Sequence, residues 1–173
     1  MKLNRIVSLS FFMLFLTSYC ELTAQTSSLS PGVQAVMFSK IFNYVKSIPE
    51  IGNQIVLVVH DRNSSKYKDV VEAFTNEKIK TATILLEEVP NVISNFRIIY
   101  FAEGTRPVQL KNILITNKIL IISADPTLVS GGEAAISVGA ENNKTTIYLN
   151  TKVLNETSHE VSPALINISK LFK

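Results

Sequence analysis

Cysteine and histidine are both scarce in this sequence of 173 residues. The single cysteine, Cys20, lies near the amino terminus, and a chain cleaved after Ala24 has none, which excludes intramolecular disulfides. The two histidines, His60 and His159, are far apart, and neither sits in a ligand pattern with the spacing of a metal site. We therefore expect no metal and no cofactor, and a domain that an apolar core stabilises.

Signals of catalysis and of nucleic-acid binding are missing too. No G-x-S-x-G sequence is present, the acidic residues show no persuasive pairing, and neither histidine has the context of a general base. The net charge is +3 for the whole chain and about +2 for residues 25–173, with lysines scattered rather than clustered. These absences predict a protein that is not an enzyme and has no nucleic-acid partner.

The amino terminus has the pattern of a secretion signal. Lys2 and Arg5 precede the apolar run 6–16, and Ala24 supplies the small residue expected before a cut. The run is too short for a spanning helix, which needs about 20 apolar residues. We predict a cleaved signal peptide over 1–24, with a second cleavage site after Cys20, and export to the periplasm.

Lipid attachment at Cys20 is the alternative to simple cleavage. The preceding residue is Tyr19, a bulky side chain where a lipoprotein peptidase requires a small one. A soluble mature chain is therefore favoured over an anchored one. The Ser/Thr-rich residues 25–30 are predicted to be a tether, and residues 31–173 a single domain, since their number suits one ordinary core.

Hydrophobic patterning predicts an α/β fold with a mostly parallel sheet, helices on both faces and a C-terminal antiparallel hairpin. The apolar run 55–59 is typical of a strand buried on both faces, and Ser64 or Ser65 is expected to cap the helix that follows it. The predicted helices are 31–47, 64–74, 89–94, 106–117, 151–156 and 162–172. The predicted strands are 55–59, 78–87, 97–101, 118–122, 134–138 and 145–149.

Turn residues mark the last part of the domain. Gly131 and Gly132 are interpreted as a bend that feeds the hairpin, although their backbone N–H groups offer a second interpretation as an anion contact. The sequence 141–143 separates two β-prone runs by too few residues for a crossover helix, so these strands must be antiparallel. Asn150 is predicted to cap a helix or lock the hairpin.

Two polar segments follow predicted parallel strands. His60, Asp61, Arg62 and Asn63 come directly after the first strand, and the segment containing Glu103 and Arg106 follows the third. Ligands of open α/β sheets often bind beyond the carboxyl ends of the strands, so these six residues are the candidate binding residues. The alternative is ordinary turn chemistry.

The order of these elements resembles the YfiR-like family over almost all of 31–172. The signatures that carry the resemblance are the aromatic helix 38–45 closed by Pro49, the strand 55–59, the corner 123–125, the pair Gly131–Gly132 and Leu149–Asn150. The resemblance implies a periplasmic regulator that binds the periplasmic portion of a membrane-embedded diguanylate cyclase and holds it inactive. Some relatives are associated with sensor kinases, and the resemblance leaves a small-molecule ligand and a homodimer open.

Two departures from that family pattern bear on mechanism. Ile48 stands where relatives commonly have tryptophan before the proline, and the cysteines that some relatives use for disulfides are absent. Redox switching is therefore not expected in this chain.

Overall fold

The protein is described by a computed structural model that covers residues 27–48 and 53–173. Its strands form one eight-stranded sheet in the order β3-β2-β4-β5-β6-β7-β8, with β1 paired to β6. The strands are β1 (Ser27–Ser28), β2 (Ile55–His60), β3 (Lys80–Leu85), β4 (Ile98–Phe101), β5 (Leu120–Ser123), β6 (Ile136–Glu141), β7 (Lys144–Asn150) and β8 (Ser169–Phe172). β2 to β6 are parallel, β7 is antiparallel to β6, and β8 is parallel to β7.

Helices connect the strands and cover the sheet. They are α1 (Pro31–Phe42), α2 (Tyr67–Asn76), α3 (Val89–Val92), α4 (Lys111–Thr116), α5 (Pro126–Ser130), α6 (Thr151–Glu156) and α7 (Pro163–Asn167), with short 3-10 turns at Leu86–Glu88 and Ile93–Asn95. Every residue of β4 and β5 is buried, which requires cover on both faces. The predicted α/β class, parallel sheet and antiparallel hairpin are confirmed.

An aromatic cluster joins α1 and α2 to the sheet. The ring of Phe38 lies 6.1 Å from that of Phe42, 6.2 Å from that of Phe74 and 5.9 Å from that of Tyr100, between centroids. The contacts with Phe74 and Tyr100 are edge-on, the geometry that aromatic pairs prefer. This cluster fixes α1 across the centre of the sheet. The start of α1 therefore lies near the carboxyl ends of the parallel strands, and its end lies near their amino ends.

The hairpin forms as its turn residues predict. Glu141 pairs with Lys144, so the turn between β6 and β7 contains only Asn142 and Asn143. Both have positive φ, 51° and 60°, which asparagine tolerates better than most residues and which suits the twist of a two-residue hairpin.

The prediction of a helix over 162–172 is wrong in its second half. α7 ends at Asn167, and Ser169–Phe172 form the edge strand β8 beside β7. Leu165 is buried, as the helical pattern predicts, but Ile168 and Leu171 are exposed. The free edge of β7 offers backbone hydrogen bonds, and these override the short apolar periodicity.

Other helix bounds differ from the predicted ones. The first helix ends at Phe42 rather than at residue 47, because Val45 forms a β-bridge with Val161 and the N–H of Lys46 donates to the carbonyl of Glu160. The second begins at Tyr67 after Lys66, with no side-chain cap from a serine. α4 is only part of the predicted 106–117, and α5 was not predicted.

The described residues begin at a strand that the sequence does not predict. Ser27 and Ser28 pair with Ala140 and Gly139 of β6, beyond the end of β5. A Cβ atom on Gly139 would lie 2.5 Å from Cγ of Pro126, so this close approach requires glycine. The predicted signal peptide and Pro49 lie outside the described residues. No helix of the described part has the length and hydropathy to cross a bilayer.

Candidate functional site

The loops predicted to bind meet at the carboxyl edge, where the parallel strands end. β2 and β4 are neighbours in the sheet, so the loop 60–63 and the loop 102–106 leave the same edge side by side. The N–H of Ala102 donates to the carbonyl of Val59 at 3.0 Å, which continues the pairing of the two strands up to these loops.

His60 is held in the wall of this edge. Its ring stacks on that of Tyr67 with centroids 3.7 Å apart, and its Nδ1 donates to the carbonyl of Asp61 at 3.0 Å. Only 9% of the residue is exposed. His60 therefore supports the loop, while Arg62 and Asn63 are exposed to solvent.

Three cations of the carboxyl edge are paired with carboxylates. Arg62 contacts Glu87 at 2.6 Å and Lys66 contacts Glu103 at 2.7 Å. The hydrogen bond from Arg62 lowers the pKa of Glu87 below its ordinary value. Arg106 lies 3.6 Å from Glu133, which follows the predicted glycine pair. Lys66 and Glu87 were not predicted, because their partners are distant in sequence.

A cavity of about 220 Å³ opens beside these ion pairs. The residues around it are Leu29, Pro31, Gln34, Lys66, Asp69, Val70, Tyr100, Glu103 and Ala124. Of the six predicted binding residues only Glu103 lines it; the loop 60–63 and Arg106 lie outside. The sequence does contain a signal for two of the other lining residues, Gln34 and Tyr100. A glutamine on the buried side of α1 and a tyrosine inside an apolar strand both need polar partners.

A buried hydrogen-bond chain forms the floor of this cavity. The hydroxyl of Tyr100 donates to Oε1 of Gln34, and Nε2 of Gln34 donates to the carbonyl of Leu29, both at 2.7 Å. Burial raises the pKa of Tyr100 far above its ordinary value, so the phenol stays protonated and remains a donor. The chain ties the start of α1 to β4.

Gly132 and Asn150 organise the turn before the hairpin. Gly132 has φ 73°, a conformation that favours glycine. Nδ2 of Asn150 donates to the carbonyl of Val129 at 2.9 Å, and its Oδ1 accepts from the N–H of Val153 at 3.0 Å. Asn150 thus caps α6 and fastens α5 to the end of β7. Gly131 lies between α5 and this turn.

A second polar network lies at the opposite edge of the sheet. Nε2 of His159 donates to the carbonyl of Lys118 at 3.1 Å, so its Nδ1 accepts from the hydroxyl of Ser47 at 2.8 Å. Oγ of Ser47 also accepts from the N–H of Glu160 at 3.3 Å. Burial, assisted by the charge of Arg97, lowers the pKa of His159, although its bond to Lys118 acts in the other direction. The ring is held neutral and in one tautomer.

Neither network has the composition of a metal centre. Within 27–48 and 53–173, no group of three or more His, Cys, Asp or Glu residues is placed to hold a metal ion. The two histidines stand at different edges of the sheet and have different partners.

Comparison with known proteins identifies the family. A model of the YfiR/HmsC-like family matches residues 32–170. The chain belongs to this family. The match covers every described helix and strand from α2 to α7, so family membership rests on the whole domain rather than on one motif. No curated protein matches the chain.

Solved structures share the fold at low sequence identity. A conserved domain protein from Vibrio cholerae has a TM-score of 0.61 and 14% identity over 84% of this chain and 61% of its own length. The ABC domain from Streptococcus pneumonia in complex with L-Trp has a TM-score of 0.58 and 9% identity, covering 83% and 60%. A ligand-free, open substrate-binding protein with adhesive properties from Clostridium difficile has 0.56 and 14%, covering 85% and 61%. The chain spans about three fifths of each of these proteins.

Proposed function

We propose that this protein is a non-enzymatic periplasmic regulator that binds the extracytoplasmic part of a membrane signalling protein, a diguanylate cyclase or a sensor kinase. Membership of the YfiR/HmsC-like family carries the proposal. The signal-peptide pattern of 1–24 supports the compartment. The ion pairs of the carboxyl edge favour recognition of a partner protein by surface contact over catalysis.

The proposed contact surface is the pair of loops at the carboxyl edge. Arg62, Asn63, Glu103 and Arg106 are exposed there, while His60 and Asp61 fix the shape of the first loop. Charged groups on a rim steer partners and set orientation. Because Arg62 and Arg106 already have carboxylate partners, a docking protein would exchange ion pairs at these two residues rather than neutralise free charge.

Capture from membranes tests the proposal. The mature chain, a double variant Arg62→Glu with Arg106→Glu, and the control Lys144→Glu are used to recover membrane proteins after cross-linking. Lys144 is exposed on the hairpin and forms no ion pair with a described carboxylate. We expect a signalling receptor with the wild type and the control but not with the double variant.

A second readout checks the consequence in the cell. Deletion of the gene should change cyclic di-GMP or the phosphorylation of a sensor kinase, and the wild-type gene should restore it. Recovery of no signalling protein together with unchanged signalling on deletion would contradict the proposal. Equal recovery by all three chains would contradict the proposed surface.

A small-molecule binding module is the second candidate, and the cavity of about 220 Å³ favours it. Oγ1 of Thr105 and Oε2 of Glu133, which lie outside this cavity, are buried without hydrogen-bond partners among the described residues and are polar groups for a bound water. A thermal-shift screen of metabolites tests this function without a protein partner. A hit that also raises the melting temperature of Gln34→Ala by the same amount would place its site elsewhere.

A further inference from the structure

A cleft of about 430 Å³ opens at the amino edge of the sheet, where the parallel strands begin. This edge is opposite the one that carries the predicted binding loops. The walls of the cleft include Ser47, Arg97, Lys118, Ser158 and His159. The volume lies within the roughly 300–1,000 Å³ typical of small-molecule sites. None of the six candidate binding residues predicted from the sequence lines this cleft.

Two cations at the starts of neighbouring parallel strands line this cleft. Arg97 directly precedes β4 and Lys118 lies just before β5, and the N–H of Leu120 donates to the carbonyl of Arg97 at 2.9 Å. Because Ile98 pairs with Leu120, Arg97 lies opposite Ile119, and Lys118 is one residue further back in the neighbouring segment. Both residues line the same opening and are exposed to solvent.

These cations differ from those of the carboxyl edge in having no carboxylate. The five ion pairs among the described residues involve other basic side chains, and no Asp or Glu is among the described lining residues. A guanidinium fork matches the oxygens of phosphate and carboxylate, and an ammonium adds a compact charge. The cleft is thus complementary to an oxyanion.

The back wall of the cleft is rigid and polar. His159 is only 7% exposed, and both ring nitrogens are fixed by hydrogen bonds to Lys118 and Ser47. A neutral imidazole adds no charge that competes with the two cations. The hydroxyl of Ser158 lies in the same lining and is a donor for a bound anion, whereas the hydroxyl proton of Ser47 is already donated to His159.

We propose that this cleft is a binding site for a small organic oxyanion, a molecule carrying a phosphate or carboxylate group that Arg97 and Lys118 hold. The ligand is larger than the free ion, since the opening exceeds the space of one such group. The site is independent of the carboxyl edge, so it does not require that the protein dock there.

Titration with simple anions tests the proposal on the mature chain. Inorganic phosphate and succinate serve as probes in calorimetry and thermal-shift measurements, each against sodium chloride of equal ionic strength. We expect saturable binding of at least one probe. Arg97→Gln should weaken it about tenfold, as loss of a charged hydrogen bond does. Lys118→Asn removes the second charge, and asparagine tolerates the φ of 52° found there.

Lys144→Gln removes one exposed lysine far along the chain and should bind as the wild type does, which separates the cleft from general attraction to a basic protein. Binding of phosphate alone assigns a phosphate ligand, and binding of succinate alone assigns a carboxylate. Absence of saturable binding of both probes at millimolar concentration would overturn the proposal. Binding by the double variant Arg97→Gln with Lys118→Asn that equals that of the wild type would overturn it as well.

Discussion

The two ends of α1 are tied to the sheet by different polar networks. Near its start, Gln34 and Tyr100 form a buried chain beside the ion pair of Lys66 and Glu103. Beyond its end, Ser47 and His159 form a chain that borders an open cleft with cations that no described carboxylate neutralises. Polar groups that satisfy one another stabilise the fold, whereas charge left without a partner is available to a ligand.

The largest expected effect concerns the enclosed chain. Tyr100→Phe removes the donor to Oε1 of Gln34 and leaves a buried acceptor unsatisfied, which should lower the free energy of unfolding by about 1–3 kcal/mol. Urea unfolding measures the loss. Tyr44→Phe is the control, because Tyr44 is 39% exposed and its substitution should change stability by less than about 0.5 kcal/mol. Equal stability of the two variants would show that the chain does not stabilise α1.

The second expectation concerns the pH dependence of the open network. The pKa of His159 is lowered in the folded state, so the unfolded chain binds more protons as the pH falls. Its contribution to stability is complete above about pH 6.5, the unfolded value, and is lost as the pH falls from there toward the folded value. Arg97, just before β4, and Lys118, just before β5, line the cleft beside this ring, and Glu160 follows it in the chain.

Urea unfolding between pH 5 and pH 7.5 measures that dependence. One proton contributes a slope of at most about 1.4 kcal/mol per pH unit. The slope should be smaller in His159→Asn than in the wild type over this interval. Identical slopes would mean that the ring titrates equally in both states.

A smaller effect is expected from the ion pairs of the carboxyl edge. Lys66 and Glu103 are 62% and 46% exposed in their side chains, so water and salt screen their attraction. A double-mutant cycle with Lys66→Gln and Glu103→Gln should give a coupling of about 0.2–1 kcal/mol that decreases at high salt. A coupling energy that salt does not change would indicate that Lys66 and Glu103 are shielded from water. The ion pair would then contribute more to stability than an exposed pair does, and the contrast between the two ends of α1 would not hold.

The smallest effect is local to one exposed carboxylate. Arg62→Gln should bring the pKa of Glu87 back up toward its ordinary value, because the hydrogen bond from Arg62 is the main cause of the lowering. NMR titration of the Glu87 carboxyl measures the change, and Lys144→Gln should leave it unaltered. An unchanged pKa of Glu87 in Arg62→Gln would show that Arg62 and Glu87 do not form an ion pair at the carboxyl edge.

Sequence patterns predict the central part of the fold well. β2, β4 and β5 are continuous apolar runs that only a doubly covered parallel sheet buries, and the asparagine pair at 142 and 143 specifies the hairpin turn. The edge strands β1 and β8 were not predicted, because each is short and has little apolar patterning. Their pairing depends on a free edge supplied by β6 or β7.

The sites are harder to predict than the sheet. The loops 60–63 and 102–106 do share one edge, as strand order implies, but their charge pairing depends on Glu87, Lys66 and Glu133 from other segments. The amino-edge cleft draws on residues from five separate parts of the chain. In sequence His159 is an isolated histidine, and only the return of 158–161 to the end of α1 reveals its partners.

Amide NMR of the mature chain during titration with phosphate tests the contrast between the two edges most directly. The account predicts shift changes that saturate with one dissociation constant at Ser47, Ser158 and His159, and no such changes at Asn63 and Glu103. The changes should disappear in Arg97→Gln. Saturable shift changes at Asn63 and Glu103, without changes at Ser47, Ser158 and His159, would contradict the account.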